Sequence, residues 1–172
     1  MKQYLAWIDM EMTGLDFQKN RILEAAIIIT DFNFKTLVQK DFIIFQNDSE
    51  LNKMDEWCLN HHTKSGLLSK IKSGKKEQEV EQKFIEICQP YLTENKIVIA
   101  GNSISQDKKF IERWWPEFSK LLHYRVLDVS SFKIIFENKW NKKFEKKKNH
   151  RALDDIQESI GELKFYLDFV RS

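Results

Sequence analysis

Proline and glycine are scarce in this 172-residue chain, two and five respectively, and no stretch rich in Pro, Gly or Ser divides it. Residues 1–172 are therefore read as one domain, long enough to bury a sizeable core. No apolar run approaches the ~20 residues that a membrane-spanning helix needs, and the N-terminus lacks the basic segment followed by an apolar one that marks a secretory signal. These absences argue against a membrane protein or a secreted one, and a cytoplasmic location is expected. Only two cysteines occur, Cys58 and Cys88, with neither metal-site spacing nor a disulfide framework, so both are expected reduced in or beside the core. What is present argues for a packed globule with a well-solvated surface: 42% hydrophobic, 13% aromatic and 31% charged residues.

The formal net charge of +2 says little, but its distribution is uneven. Residues 139–151 read KWNKKFEKKKNHR, with seven Lys or Arg against one Glu, and Lys70, Lys72, Lys75 and Lys76 bracket Gly74. Such runs are solvated surface unless an active site adjoins them, in which case they attract a polyanion. Alternation and apolar runs predict strands over 3–10, 22–30, 36–45, 97–102 and 124–128, the second and third joined as an antiparallel hairpin. Helical spacing is read in DEWCLNHH and SGLLSKI and over 79–92, 105–115, 129–140 and 152–170. A meander of three strands followed by helices alternating with two more strands predicts an α/β fold. Its expected form is ribonuclease H-like, a mixed five-stranded sheet flanked by α-helices.

The first strand ends in IDMEM. Asp9 and Glu11 point the same way in a strand, and their repulsion calls for a positive charge between them. Asp107 follows the fourth strand in the first turn of a helix, where capping alone would also favour an acid. In HRALDD, the apolar stripe Leu153, Ile156, Ile160, Leu163 and Leu167 puts Asp154 on the solvated side and Asp155 at the stripe's margin, with His150 just before the helix. Four carboxylates from three segments suit hard divalent cations such as Mg²⁺ or Mn²⁺, which take oxygen ligands. Two such ions stabilise the attacking and leaving oxygens of a phosphoryl displacement. His150, with an ordinary pKa near 6.5, suits the general base of that reaction near neutral pH.

D-x-E in the first strand, an Asp after the fourth and H-x-x-x-x-D entering the last helix resemble the DEDDh family of 3′-to-5′ exonucleases. WIDMEMTGLD, RILEAAIIITD, MDEWCLNHHTKSGL, AGNSISQDKKF, HYRVLDVSSFK and HRALDDIQES resemble its oligoribonuclease branch in the same order, over residues 4 to about 168. The resemblance implies one exonuclease domain in which Asp9, Glu11, Asp107 and Asp155 bind two metal ions and His150 is the base. It further implies a homodimer acting on short single-stranded RNA down to dinucleotides, with nucleoside 5′-monophosphates as products. By the same resemblance Leu15 wedges between the two bases, Trp57 and His62 lie near the substrate, and Ser103 contacts the scissile nucleotide. His123, Tyr124 and Arg125 approach from the partner chain, and Ser130 and Lys133 lie near the 5′-phosphate. The segment between Trp140 and His150 departs from the family in being short and lysine-rich. A less length-selective exonuclease trimming longer RNA or DNA is the alternative within the superfamily. A catalytically dead nucleic-acid-binding module is the alternative outside it, and the complete set of acids and His150 argues against that.

Overall fold

The computed structural model describes residues 3–145 and 151–171. Three strands, β1 (Tyr4–Met12), β2 (Ile22–Asp31) and β3 (Thr36–Ile43), form an antiparallel meander. Their tight turn is fixed by the Asp31 carboxylate, which accepts hydrogen bonds from the backbone of Asn33 at 2.9 Å and Lys35 at 3.0 Å. Four helices follow: α1 (Asp48–Leu51), α2 (Glu56–Lys64), α3 (Leu68–Ile71) and α4 (Glu77–Cys88). Next come β4 (Ile97–Gly101), α5 (Ile104–Trp114), α6 (Pro116–Ser119), β5 (Leu122–Asp128), α7 (Val129–Trp140) and α8 (Ala152–Arg171).

The sheet order is β3-β2-β1-β4-β5, with β4 parallel to both β1 and β5. Both faces are covered, so the interior strand β2 is buried along nearly its whole length and reads as a continuous apolar run. On one face Ala6, Ile8, Met10 and Ile27 pack with Phe84, Phe110 and Trp115 from the helices of the middle of the chain. On the other, Leu5, Trp7, Ala26 and Ile28 pack with Ala152, Ile156, Ile160 and Leu163 of α8.

This second face positions the acids. Along β1 the row Leu5, Trp7, Asp9, Glu11 shares one side of the sheet, because strand side chains alternate. Its apolar half holds α8 against the sheet, and its acidic half therefore faces the first turn of that helix. The five expected strands are all observed, within a few residues of their predicted ends. Among the described residues no helix is long and apolar enough to cross a membrane.

Candidate active site

Asp9 and Glu11 on β1 and Asp155 in the first turn of α8 place carboxylate oxygens within 4.8 Å of one another. The helix start is set by the Asp155 amide, which donates to the Arg151 carbonyl at 3.0 Å. Three half-buried acids this close repel each other. Burial first, then the charges of Asp155, Glu24 and Asp107, pushes the Glu11 carboxyl up to about 8, opposed by the Arg151 guanidinium. A carboxyl that resists ionisation alone but ionises readily around cations fits a ligand of divalent metal ions.

Asp107 lies one turn into α5, 6% exposed. Burial raises its pKa, with Asp128 adding repulsion, while the Met10 amide, between Asp9 and Glu11 on β1, hydrogen-bonds its carboxylate. The approach of β4 to β1 at this point requires glycine, since a Cβ on Gly101 would stand 2.9 Å from the Ile8 carbonyl oxygen.

Asp9, Glu11 and Asp107 line a cleft of about 600 Å³ shared with Leu15, Trp57, His62, Asn102, Ser103 and Gln106. Leu15 and Trp57 are 79% and 70% exposed, large apolar side chains held at its rim. Trp57 stacks on His61 with ring centroids 4.9 Å apart. The Leu15 loop is held by Gln106, whose Nε2–H donates to the Leu15 carbonyl at 2.6 Å. His62 is buried, its Nε2 2.8 Å from the Met12 carbonyl, and burial holds its pKa below the usual histidine range.

Ser103 takes a left-handed conformation, φ 51°, to start α5. Its amide donates to Asp128 Oδ1 at 3.0 Å and lies 2.9 Å from Ser130 Oγ. The fold thereby brings Ser103 and Ser130 together, with Lys133 one helical turn further along α7. His123, Tyr124 and Arg125 are not brought to the cleft. His123 and Tyr124 line a separate groove with Lys108 and Glu112, and Arg125 lies over the exposed Tyr124 ring at 5.1 Å. His150 lies outside the described residues, as do residues 146–149 of the lysine-rich run that precedes it.

Several residues at the site went unnoticed in the sequence. Glu24, opposite Glu11 in the β1/β2 register and 1% exposed, accepts from both Nε and Nη2 of Arg151. An acid inside the apolar run ILEAAIII was the available signal. Asn102 links Ser130 Oγ, at 3.2 Å, to Ser159 and Glu162 of α8, each at 2.9 Å. Ser159, Glu162 and Tyr166 are buried beside Ile156, Ile160 and Leu163. The buried arc of α8 is thus turned by about 60° from the purely apolar stripe, and Asp155 falls within it. Asp154 points away from that arc, yet is half-buried, close enough to Arg151 to interact with it.

The exonuclease family model matches residues 6–163. Among curated proteins, the oligoribonuclease of Actinobacillus pleuropneumoniae is 42% identical over 170 residues, covering 95% of this chain and 92% of that one. The Francisella tularensis oligoribonuclease is 43% identical over 166 residues, 94% and 93% of the two chains. The human mitochondrial oligoribonuclease is 41% identical over 172 residues, 96% and 73%. Among solved structures, exonuclease I of Methylocaldum szegediense matches with a TM-score of 0.70 at 14% identity, over 96% of this chain and 40% of that one. Escherichia coli exonuclease I in complex with a 5cy-dA13 oligonucleotide matches with a TM-score of 0.66 at 13% identity, 95% and 40%. The chain spans about 40% of these exonuclease I chains, and at such identity the likeness concerns the fold. With relatives at 41–43% identity along nearly its whole length, the chain belongs to the exonuclease family, in its oligoribonuclease branch.

Proposed function

We propose that this chain is a 3′-to-5′ exoribonuclease that hydrolyses very short oligoribonucleotides, dinucleotides above all, to nucleoside 5′-monophosphates. The observation that carries this reading is the convergence of Asp9, Glu11 and Asp155 beside a cleft rimmed by exposed Leu15 and Trp57.

Asp9, Glu11, Asp107 and Asp155 would hold two divalent ions, Mg²⁺ or Mn²⁺. When bound, these ions supply positive charge to the attacking and leaving oxygens of the scissile phosphodiester. The chain's own residues do the rest. His150 takes the proton of the attacking water. Trp57 offers a flat face on which a base stacks, a contribution of about 1–3 kcal/mol per base, and Leu15 wedges between the two bases. His62 closes the floor beside Met12. Ser103 holds the scissile nucleotide, and Ser130 and Lys133 receive the 5′-phosphate.

His123, Tyr124 and Arg125 complete the site from a second copy of the chain, which supports a homodimer as the working form. They are exposed or half-buried, and those that line a groove line one other than the acidic cleft. The same observation favours the second reading if the chain works alone. One copy leaves the 5′ side open, and the enzyme would then trim longer RNA or DNA with little length selection. Action in the cytoplasm is part of the main proposal.

The test is hydrolysis of labelled 2-mers and 20-mers with Mg²⁺ or Mn²⁺, with and without chelator. The 2-mer should be strongly preferred and chelation should stop the reaction. Equal rates on both lengths would favour the trimming enzyme, and hydrolysis persisting in chelator would overturn the metal-dependent mechanism.

A further inference from the structure

Glu11 faces in two directions. Besides Asp9 and Asp155, its carboxylate meets the histidine pair of α2: Glu11 Oε2 lies 4.0 Å from His61 Nε2 and 3.8 Å from His62 Nδ1. The three candidate ligand atoms lie within 4.8 Å of one another.

His62 makes this more than a chance grouping. It is 2% exposed, and its Nε2 lies 2.8 Å from the Met12 carbonyl oxygen, which can only accept. The ring proton is therefore on Nε2, and Nδ1 carries a lone pair. That Nδ1 is buried, has no hydrogen-bond partner among the described residues and is aimed at Glu11. At 3.8 Å the gap exceeds a hydrogen bond. A lone pair buried opposite a carboxylate is unfavourable unless a cation lies between them. A histidine that donates one ring N–H to a backbone carbonyl and turns the other nitrogen inward has the orientation that metal-ligating histidines adopt.

We propose that Glu11, His61 and His62 form a transition-metal site, with Zn²⁺ as its ion, distinct from the all-carboxylate cluster but sharing Glu11 with it. Two imidazoles and one carboxylate are a zinc donor set, whereas Mg²⁺ favours oxygen ligands. Zinc bonds of about 2.0–2.2 Å put tetrahedral ligand atoms ~3.4 Å apart, so side-chain shifts of about 1 Å or less would close this set around one ion. Three protein ligands leave a fourth position for water. Because Glu11 serves both sites, zinc here withdraws a ligand from the carboxylate cluster and inhibits the enzyme even under excess Mg²⁺. His61 stacks on Trp57, so the ion also couples to the exposed ring at the cleft rim.

The experiment uses the full chain carrying Asp9→Asn and Asp155→Asn, which dismantles the carboxylate cluster and leaves Glu11 and both histidines. Zn²⁺ is titrated by calorimetry, and the imidazole nitrogens are followed by ¹⁵N NMR. One zinc per chain is expected, with a displaced His62 Nδ1 resonance. Adding His61→Phe, which keeps a ring against Trp57, should weaken zinc binding at least about tenfold. In the chain with its acids intact, His61→Phe should relieve zinc inhibition measured at fixed Mg²⁺. Unchanged zinc affinity after His61→Phe, or a His62 Nδ1 resonance that zinc does not move, would overturn the proposal and leave zinc to the carboxylates alone.

Discussion

Glu162 on α8 accepts hydrogen bonds from Asn102 Nδ2 at 2.9 Å and from the Tyr166 hydroxyl at 3.1 Å, one on each carboxylate oxygen. It is 1% exposed, and through Asn102 it holds Ser130 beside Ser103. Glu162→Gln has one acceptor oxygen for two donors, so one buried donor loses its partner. Unfolding free energy from denaturant melts should fall by about 1–3 kcal/mol. KM for a 2-mer should rise as Ser130 loses its fixed position. A variant as stable as the parent would show that Asn102 is held from elsewhere.

Asp155→Asn removes charge from the cluster without removing volume. Turnover on a 2-mer should be nearly abolished, while the melting temperature in chelator should hold or rise, because Asp155 is a leading source of the repulsion on Glu11. Asp154→Asn, on the opposite side of the helix from the buried arc, is the matched control and should retain activity. An inactive Asp154→Asn would mean that the neighbouring position on α8, and not Asp155, serves the site.

The pH dependence of stability follows from Glu11, raised from 4.5 to about 8 in the metal-free fold. Between these values the native state holds a proton that the unfolded chain has released. Metal-free protein should therefore be most stable near the lower pH and lose stability as pH rises through this window, Glu11 contributing up to about 1.4 kcal/mol per unit and the raised Asp107 carboxyl adding in the same direction. Divalent ions should reverse the trend, since their binding displaces the proton. Thermal melts from pH 5 to 8, with chelator and with Mn²⁺, measure both slopes. Parallel slopes would show that Glu11 does not meet the ions.

Length selection is tested at Arg125 and Lys133. Charge-assisted contacts to a phosphate contribute about 1.5–3 kcal/mol, so Arg125→Ala or Lys133→Ala should weaken 2-mer binding by roughly one to two orders of magnitude. A 20-mer, with no terminal phosphate at that point, should lose much less, and a variant held monomeric should behave like Arg125→Ala or be inactive. Equal losses on both lengths would mean that Arg125 and Lys133 do not receive the 5′-phosphate, and would leave the metal chemistry standing.

Element order was legible in the sequence because its signals are periodic. ILEAAIIIT reads as a buried strand and IVIAG as another, and both are. The acids of IDMEM and HRALDD were legible for the same reason, since strand alternation and helical spacing fix where side chains point. What periodicity misses is polar burial. Ser159 and Glu162 read as the wet side of α8, yet they are buried because Asn102 supplies partners from another element. The Glu11 contact with His61 and His62 was equally hidden, because it joins a strand to a helix some fifty residues away, a proximity that no local pattern encodes.

The clamp between Arg151 and Glu24 bears on how this segment can diverge. Glu24 sits on β2, an interior strand paired on both sides, so the residue covalently following His150 is tethered to the sheet. The stretch after α7 can then gain or lose residues, or fill with lysines, on the far side of that tether. A clamp of this kind lets one connection drift in length and charge while the helix start that carries Asp155 keeps its register.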